Sequence, residues 1–276
     1  MTTTLRPAGP EERTADGGRS RAFDIRVNGR DAGSLRLSAT RGTGRVDHLE
    51  VAAPDRRRGR ATVAVLAAEE ALRAWGCHEA EASVPATADG ALTLATALGY
   101  TERNRHLVKH LTDPVPAPPP GSALRDMTAA EFPAWRDAAR AASARSWSGR
   151  GRAPAAAEAR AERAYATLLP DGPATEDAVL RVLTHEGADA GTLWVSLDTG
   201  RLRHGEDAYV YEVEVAPEHR GRGHGRTLMR EAERICRAAG ARLLGLNVFA
   251  GNTPALRLYA SLGYEPVEIH FYKSLG

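Results

Sequence analysis

The sequence predicts a mixed α/β protein built as two tandem domains, each a twisted mixed β-sheet flanked by helices. Three observations carry that expectation: an internal repeat, a proline-rich break, and stretches of period-2 and period-3.6 hydrophobicity that alternate along the longer second half. When the chain is slid on itself by 164 residues, Arg56 falls on Arg220, Gly59 on Gly223, Gly76 on Gly240, Ala91 on Ala255 and Leu94 on Leu258. Leu98-Gly99-Tyr100 falls on Leu262-Gly263-Tyr264 with no gap. The break is residues 113–121, where five prolines in nine residues preclude helix or central strand and predict an extended spacer. The expected domains are therefore 1–112 and 122–276, joined by that linker.

The second copy is read element by element. Residues 122–127 form a short strand. Residues 129–144 and 154–169 are Ala-rich helices; Pro154 stands at a first helical position, where a missing N–H costs nothing, and Pro170-Asp171-Gly172 stops the second helix. Residues 179–184 and 191–197 are strands joined through Glu186-Gly187, and 208–215 is a longer strand rich in Tyr and Val. Leu228, Met229, Ala232, Ile235, Cys236 and Ala239 keep helical spacing across 225–239, and Gly240 caps that helix. A strand at 243–248, a helix at 253–262 stopped by Gly263, and a strand at 267–273 complete the copy. The first copy lacks the paired N-terminal helices, since only about 20 residues precede its first clear strand.

Composition narrows the function classes. Of 276 residues, 37 are basic and 35 acidic, a net charge of +2 that gives no pull toward nucleic acid or anionic membrane. Cys77 and Cys236 cannot build a disulfide framework, which fits a reducing cytoplasm. No Cys/His spacing suits a metal, no apolar run approaches the ~18 residues of a membrane span, and the N-terminus is not a signal peptide. A monomer or homodimer in the cytoplasm is expected.

The most informative stretch is Val215-Ala216-Pro217-Glu218-His219-Arg220-Gly221-Arg222-Gly223-His224-Gly225, which follows a strand and opens a helix. Glycines at alternating positions let backbone approach a ligand, and the first helical amides have no intrahelical partner. With the helix dipole they make a phosphate cradle; a glycine-rich turn that only caps the helix is the plainer alternative. The spacing fits neither a P-loop nor the dinucleotide fingerprint. Arg220-x-x-Gly223-x-Gly225 after a Val-x-Pro strand end resembles the signature loop of the GNAT superfamily of acyl-CoA-dependent N-acyltransferases. The resemblance implies that amides of Gly221, Arg222, Gly223, His224, Gly225 and Arg226, behind Arg220, hold the pyrophosphate of acetyl-CoA or another acyl-CoA. The strand near Val213 and Val215 would pair with the pantetheine arm.

A second stretch, Asn252-Thr253-Pro254-Ala255-Leu256-Arg257-Leu258-Tyr259-Ala260-Ser261-Leu262-Gly263-Tyr264, is similar to the family's Asn-x-x-Ala-x-x-Leu-Tyr-x-x-Leu-Gly-Tyr/Phe pattern. Alone, Leu258-Tyr259 reads as core. Within the family, Tyr259 takes the place of the proton donor to the leaving thiolate and Asn252 that of a coenzyme A contact. The usual Glu of the preceding strand is replaced by Tyr209. The carboxylates left are Glu212 and Glu214, with Glu206-Asp207 just ahead, and Glu212 is the expected base or water anchor. Glu212 and Glu214 face away from Tyr209 and Tyr211 unless a bulge intervenes. In the first copy Asn252 corresponds to Ala88 and Tyr259 to Ala95, so that copy is expected to be silent, although Arg56-Arg57-Arg58-Gly59-Arg60-Ala61 could hold a phosphate.

In relatives the N-terminal helices and their connection border the acceptor, here Ser146, Trp147, Ser148, Gly149 and Arg150. Trp147 either stacks on an acceptor or is buried, and Tyr209 and Tyr211 could line the same cleft. The expected activity is acetyl transfer to a primary amine, of a small molecule first. A protein N-terminus or lysine, a non-catalytic acyl-CoA sensor, and a mycothiol-synthase-like enzyme are the alternatives.

Overall fold

The computed structural model describes residues 2–15, 17–112, 114–149, 153–198 and 204–276. In chain order the elements are β1 (Thr3–Pro7), β2 (Glu12–Arg13), β3 (Arg19–Val27), β4 (Arg30–Thr40), β5 (Thr43–Val51), α1 (Arg60–Ala74), β6 (Glu79–Pro85), α2 (Asp89–Ala97), β7 (Thr101–His110), β8 (Ser122–Asp126), α3 (Phe132–Ser148), α4 (Pro154–Leu168), β9 (Ala178–His185), β10 (Ala188–Ser196), β11 (Ala208–Val215), α5 (His224–Ala238), β12 (Leu243–Phe249), α6 (Thr253–Ser261) and β13 (Glu265–Ser274).

Two compact units result, Met1–Asn104 with Val267–Gly276, and Arg105–Pro266. Their bounds differ from the division drawn at the proline segment. Two strands are responsible. β13 pairs antiparallel with β6 from Glu268–Pro85 to Ser274–Glu79, and its Ile269 and Phe271 are buried in the first unit's core. Residues 105–110 of β7 belong to the second unit, where Leu107 is buried in the core.

The 164-residue offset survives in detail. Lys273 Nζ bonds Glu69 in the first unit at 2.8 Å, and Lys109 Nζ bonds Glu233 in the second at 2.7 Å. Leu275 N donates to His78 O at 2.9 Å, and Leu111 N to Arg242 O at 2.8 Å. Each of these four contacts maps onto its partner at the repeat offset. The repeat is thus closed, in both units, by a strand drawn from the far end of the other copy.

In the first unit the strand order is β1-β3-β4-β5-β6-β13, with β2 on β3. Among the described residues only β5 and β6 pair in parallel there. β1 was not expected from its polar sequence; it pairs antiparallel with β3, from Thr3–Val27 to Pro7–Phe23. The helices of this unit, α1 and α2, follow β5 and β6, and no helix pair precedes its sheet. Polar Asp24 and Arg36 occupy alternate strand positions between buried Phe23 and Ile25 and between buried Leu35 and Leu37.

In the second unit the order is β7-β12-β11-β10-β9-β8. One face packs Leu193, Val195, Ala208, Val210, Leu244 and Leu246 against Leu228, Met229 and Ala232 of α5 and Tyr259 of α6. The other face packs Leu180, Val182 and Trp194 against Phe132, Ala139 and Tyr165 of α3 and α4. α3 starts at Phe132 rather than 129. The turn ahead of it is held by a reciprocal pair: Glu131 Oε2 accepts from Thr128 N at 2.8 Å, and Glu131 N donates to Thr128 Oγ1 at 3.3 Å. The hairpin turn at Glu186-Gly187 has both residues at positive φ, 50° and 83°, as a tight two-residue turn requires.

Candidate active site

Three features of the second unit converge on one end of β11. The first is a bulge. Trp194 pairs with Glu212 but Val195 pairs with Val210, so Tyr211 is an extra residue in β11. The bulge switches side-chain parity. Ala208 and Val210 pack into the α5 core before it, and Val213 and Val215 do so after it. Glu212 therefore shares the α4 side with Tyr209 and Tyr211, the exception foreseen in the alternation argument.

The second feature is a split. β11 and β12 pair in parallel over Ala208–Leu244, Tyr209–Gly245 and Val210–Leu246. The recorded register ends there, while β11 continues to Val215 and β12 to Phe249. Gly245 is required at the closed end: a Cβ there would meet Glu206 Cγ at 2.8 Å and Tyr209 Cδ2 at 3.1 Å.

The third is the loop entering α5. A short 3-10 turn, Pro217–His219, is followed by Gly221 and Gly223 at φ 77° and 88°. Among the described residues no backbone carbonyl accepts from the amides of 221–225; the first helical bonds are Arg226 N and Thr227 N to Gly223 O. Cβ atoms built at Gly221 and Gly223 would meet nothing within 4 Å, so the cradle is open, and an anion fits the exposed donors. Gly225 serves packing instead, since its Cβ would lie 3.1 Å from Leu258 Cδ2.

Three side chains of the loop and its helix start are engaged elsewhere. Arg220 Nε donates to Val215 O at 3.0 Å and braces the loop against the strand end. Arg226 donates to Ser261 Oγ at 2.6 Å. His224 is 4% exposed and packs on His185 at 4.8 Å between ring centroids; burial lowers its pKa. Arg222 is exposed.

The expected acid–base residues separate clearly. Glu212 Oε2 accepts from the Tyr165 hydroxyl at 2.7 Å. Burial raises the Glu212 carboxyl to about 7, with Glu214 adding to the rise and the Tyr165 bond opposing it. Glu214 is exposed at the strand end. Tyr259 is 9% exposed in the α5–α6 core, and burial raises its hydroxyl to about 12. Burial also raises the Tyr209 hydroxyl, and Tyr211, Glu206 and Tyr259 lie close enough to add to the rise. Asn252 caps α6, its Oδ1 accepting from Ala255 N at 3.3 Å. Asp207 caps a turn by accepting from Arg242 N and Leu243 N.

On the acceptor side, Tyr209 and Tyr211 lie 4.8 Å apart, and Tyr211 stacks on Trp194 at 4.7 Å. Trp147 is half-buried, edge-on to Phe249 at 5.3 Å, with the Arg160 guanidinium 4.3 Å from its ring centroid. Ser146, Ser148 and Gly149 close α3 beside it, while Arg150 lies outside the described residues.

Sequence reasoning missed Tyr165 and the pair His106–Glu206. Tyr165 could have been found, as the aromatic residue on the Ala157–Ala161–Tyr165 stripe of α4. The Glu206 carboxylate has no exposed side-chain surface and accepts from His106 Nε2 and His204 N. Burial pushes its pKa up, but the amide bonds and His106 outweigh that and hold it low. His106 stacks on Tyr209 at 5.7 Å. No sequence signal places β7 in this unit.

In the first unit the loop keeps its shape: Arg57 and Gly59 have φ 58° and 73°, and Arg56 Nε donates to Val51 O at 2.8 Å. Ala88 and Ala95 stand where Asn252 and Tyr259 stand in the second unit.

Among the described residues no cluster of three His, Cys, Asp or Glu could hold a metal, and no helix is long and apolar enough to cross a membrane.

Comparison with known proteins agrees with this geometry. The model of the acetyltransferase (GNAT) family matches residues 145–264. An uncharacterized N-acetyltransferase, YdgE of Bacillus subtilis, is 30% identical over 117 residues, 42% of this chain and 73% of that protein. The streptothricin acetyltransferase of Streptomyces lavendulae is 40% identical over 97 residues, which span 34% of this chain and about half, 49%, of that protein. Among solved structures, a tandem GNAT protein from the clavulanic acid biosynthesis pathway aligns over 96% of this chain and 85% of its own, with TM-score 0.51 and 26% identity. A GCN5-related N-acetyltransferase from Sphaerobacter thermophilus shares the fold over 92% of this chain and 80% of its own, with TM-score 0.59 and 22% identity. The loop, the strand bulge, the split and these relatives together make the chain a member of the GNAT acetyltransferase family, and its two-copy sheet architecture is that of a tandem GNAT protein.

Proposed function

We propose that the second unit transfers an acetyl group from acetyl-CoA to the primary amine of a small molecule, by direct attack in a ternary complex. One observation carries the reading: Glu212, a buried carboxyl poised near 7, is turned by the bulge onto the Tyr209–Tyr211 side, beside the split between β11 and β12.

The roles follow from chemistry. Amides of 221–225 take the diphosphate, and β11 near Val213 and Val215 lies along the pantetheine arm. An amine arrives protonated at neutral pH, and Glu212 takes its proton. The nitrogen lone pair then attacks the thioester carbonyl, whose oxygen is polarised by backbone N–H groups at the bulge. The C–S bond breaks, and the Tyr259 hydroxyl, held protonated by burial, gives its proton to the departing thiolate. Tyr209, Tyr211 and Trp147 border the acceptor. Holding amine and thioester in attack geometry contributes much of the acceleration. The first unit, with Ala88 and Ala95 at the corresponding positions, has no side chain for the donor or amide role.

A protein acceptor is the second reading. It is favoured by 34% identity to a Bacillus subtilis protein described as a putative [ribosomal protein bS18]-alanine N-acetyltransferase, over 60% of that protein. Thiol release from acetyl-CoA, measured with a panel of small amines and peptides, decides between them. Turnover with small amines supports the proposal, turnover with peptides alone supports the second reading, and no release with any acceptor leaves a non-catalytic acyl-CoA-binding role.

A further inference from the structure

We propose that Tyr165 of α4, which lies outside both family motifs, is a positioning residue that fixes the Glu212 carboxylate and sets the pH at which it accepts the amine proton. This rests on Glu212 being the base.

The local geometry is specific. α4 approaches the sheet through Ala157 and Ala161, which are 0% and 1% exposed, and one turn later presents Tyr165, at 8%. Small residues on the first two turns let the helix come close enough for a phenol to span the remaining gap. Trp194 at 5.3 Å and Trp135 at 6.2 Å, centroid to centroid, confine the Tyr165 ring. Its hydroxyl donates to Glu212 Oε2 at 2.7 Å. Among the described residues nothing donates to Oε1, which leaves that oxygen for the amine.

The chemistry of the pair is asymmetric. The Tyr165 phenol is itself pushed up by burial and by Glu212, so it stays a donor throughout the working range. A fixed donor favours the carboxylate over the carboxylic acid. Burial and Glu214 act in the opposite sense. The hydrogen bond therefore keeps a deeply placed carboxyl usable as a base near neutrality.

The test is the pH dependence of kcat/KM in the full chain. Tyr165→Phe should move the acidic limb up by about one pH unit. Activity near pH 7 should fall about five-fold and recover at high pH, with KM for acetyl-CoA unchanged. A fluorotyrosine at 165, a stronger donor, should move the limb the other way. Infrared titration of the carboxyl band, assigned by its loss in Glu212→Gln, reads the same shift without turnover. An inactive Glu212→Gln together with an unmoved limb and band in both Tyr165 variants overturns the positioning role and leaves the base standing. A fully active Glu212→Gln overturns the base itself.

Discussion

Lys273 donates to both carboxylate oxygens of Glu69, at 2.9 and 2.8 Å, across 204 residues of chain. Glu69 is 2% exposed, and the lysine is its close cationic partner, with Arg73 at 4.0 Å. Without Lys273 the buried Glu69 carboxylate keeps only the more distant Arg73 as a cationic partner. Lys273→Ala should destabilise the chain by about 3 kcal/mol, and Lys273→Met with Glu69→Leu should recover most of it. Urea unfolding of the parent and the two variants checks both values.

The loop supplies a second prediction. Gly221 and Gly223 sit at φ 77° and 88°, where any Cβ is strained although the space is open. Gly223→Ala should cost roughly 1 kcal/mol of stability and raise KM for acetyl-CoA about ten-fold, with a smaller effect on kcat. Steady-state kinetics at varied acetyl-CoA gives the split. Gly225→Val should act differently, unfolding the contact with Leu258.

Tyr259→Phe removes the hydroxyl but keeps the ring that fills the α6 core. A loss of about 100-fold in kcat with little change in KM is expected for a missing proton donor. A poorer-leaving acyl carrier should widen the gap, and a thioester with an acidic thiol should close it.

Glu212 links catalysis to stability. Its folded pKa of about 7 lies above the ordinary carboxyl value of 4.5. The neutral carboxyl is favoured by folding, so its contribution is fully present below about pH 4.5 and is lost as pH rises through 7. Glu212→Gln should be more stable than the parent at pH 8, by about 2 kcal/mol, and equal to it at pH 4. Thermal melts at the two pH values decide it; an equal offset at both would remove the burial argument.

The element order of the second copy was legible because its hydrophobic periods are long and bounded by Gly and Pro. The strands at 208–215 and 243–248 and the helix at 225–239 agree with the observed elements to within a residue. The position of Glu212 was open in the sequence, since one inserted residue at Tyr211 decides which face it occupies. The stripe that holds Tyr165 was legible, but its hydrogen bond to Glu212, 47 residues away, has no local pattern. β1 was missed because Thr3, Thr4 and Arg6 are polar and its pairing is made by β3. The sorting of β7 and β13 was hidden for the same reason: both copies end in strands of similar pattern, and pairing chooses the sheet.

That sorting bears on how the protein can be taken apart. A gene severed within the proline segment would yield two pieces, one lacking β13 and the other lacking its stretch of β7. Each would expose a raw sheet margin and be prone to clump when made alone, yet the two made together hold every strand both sheets require. A cut that follows the compact second unit would instead start at Arg105 and stop at Pro266.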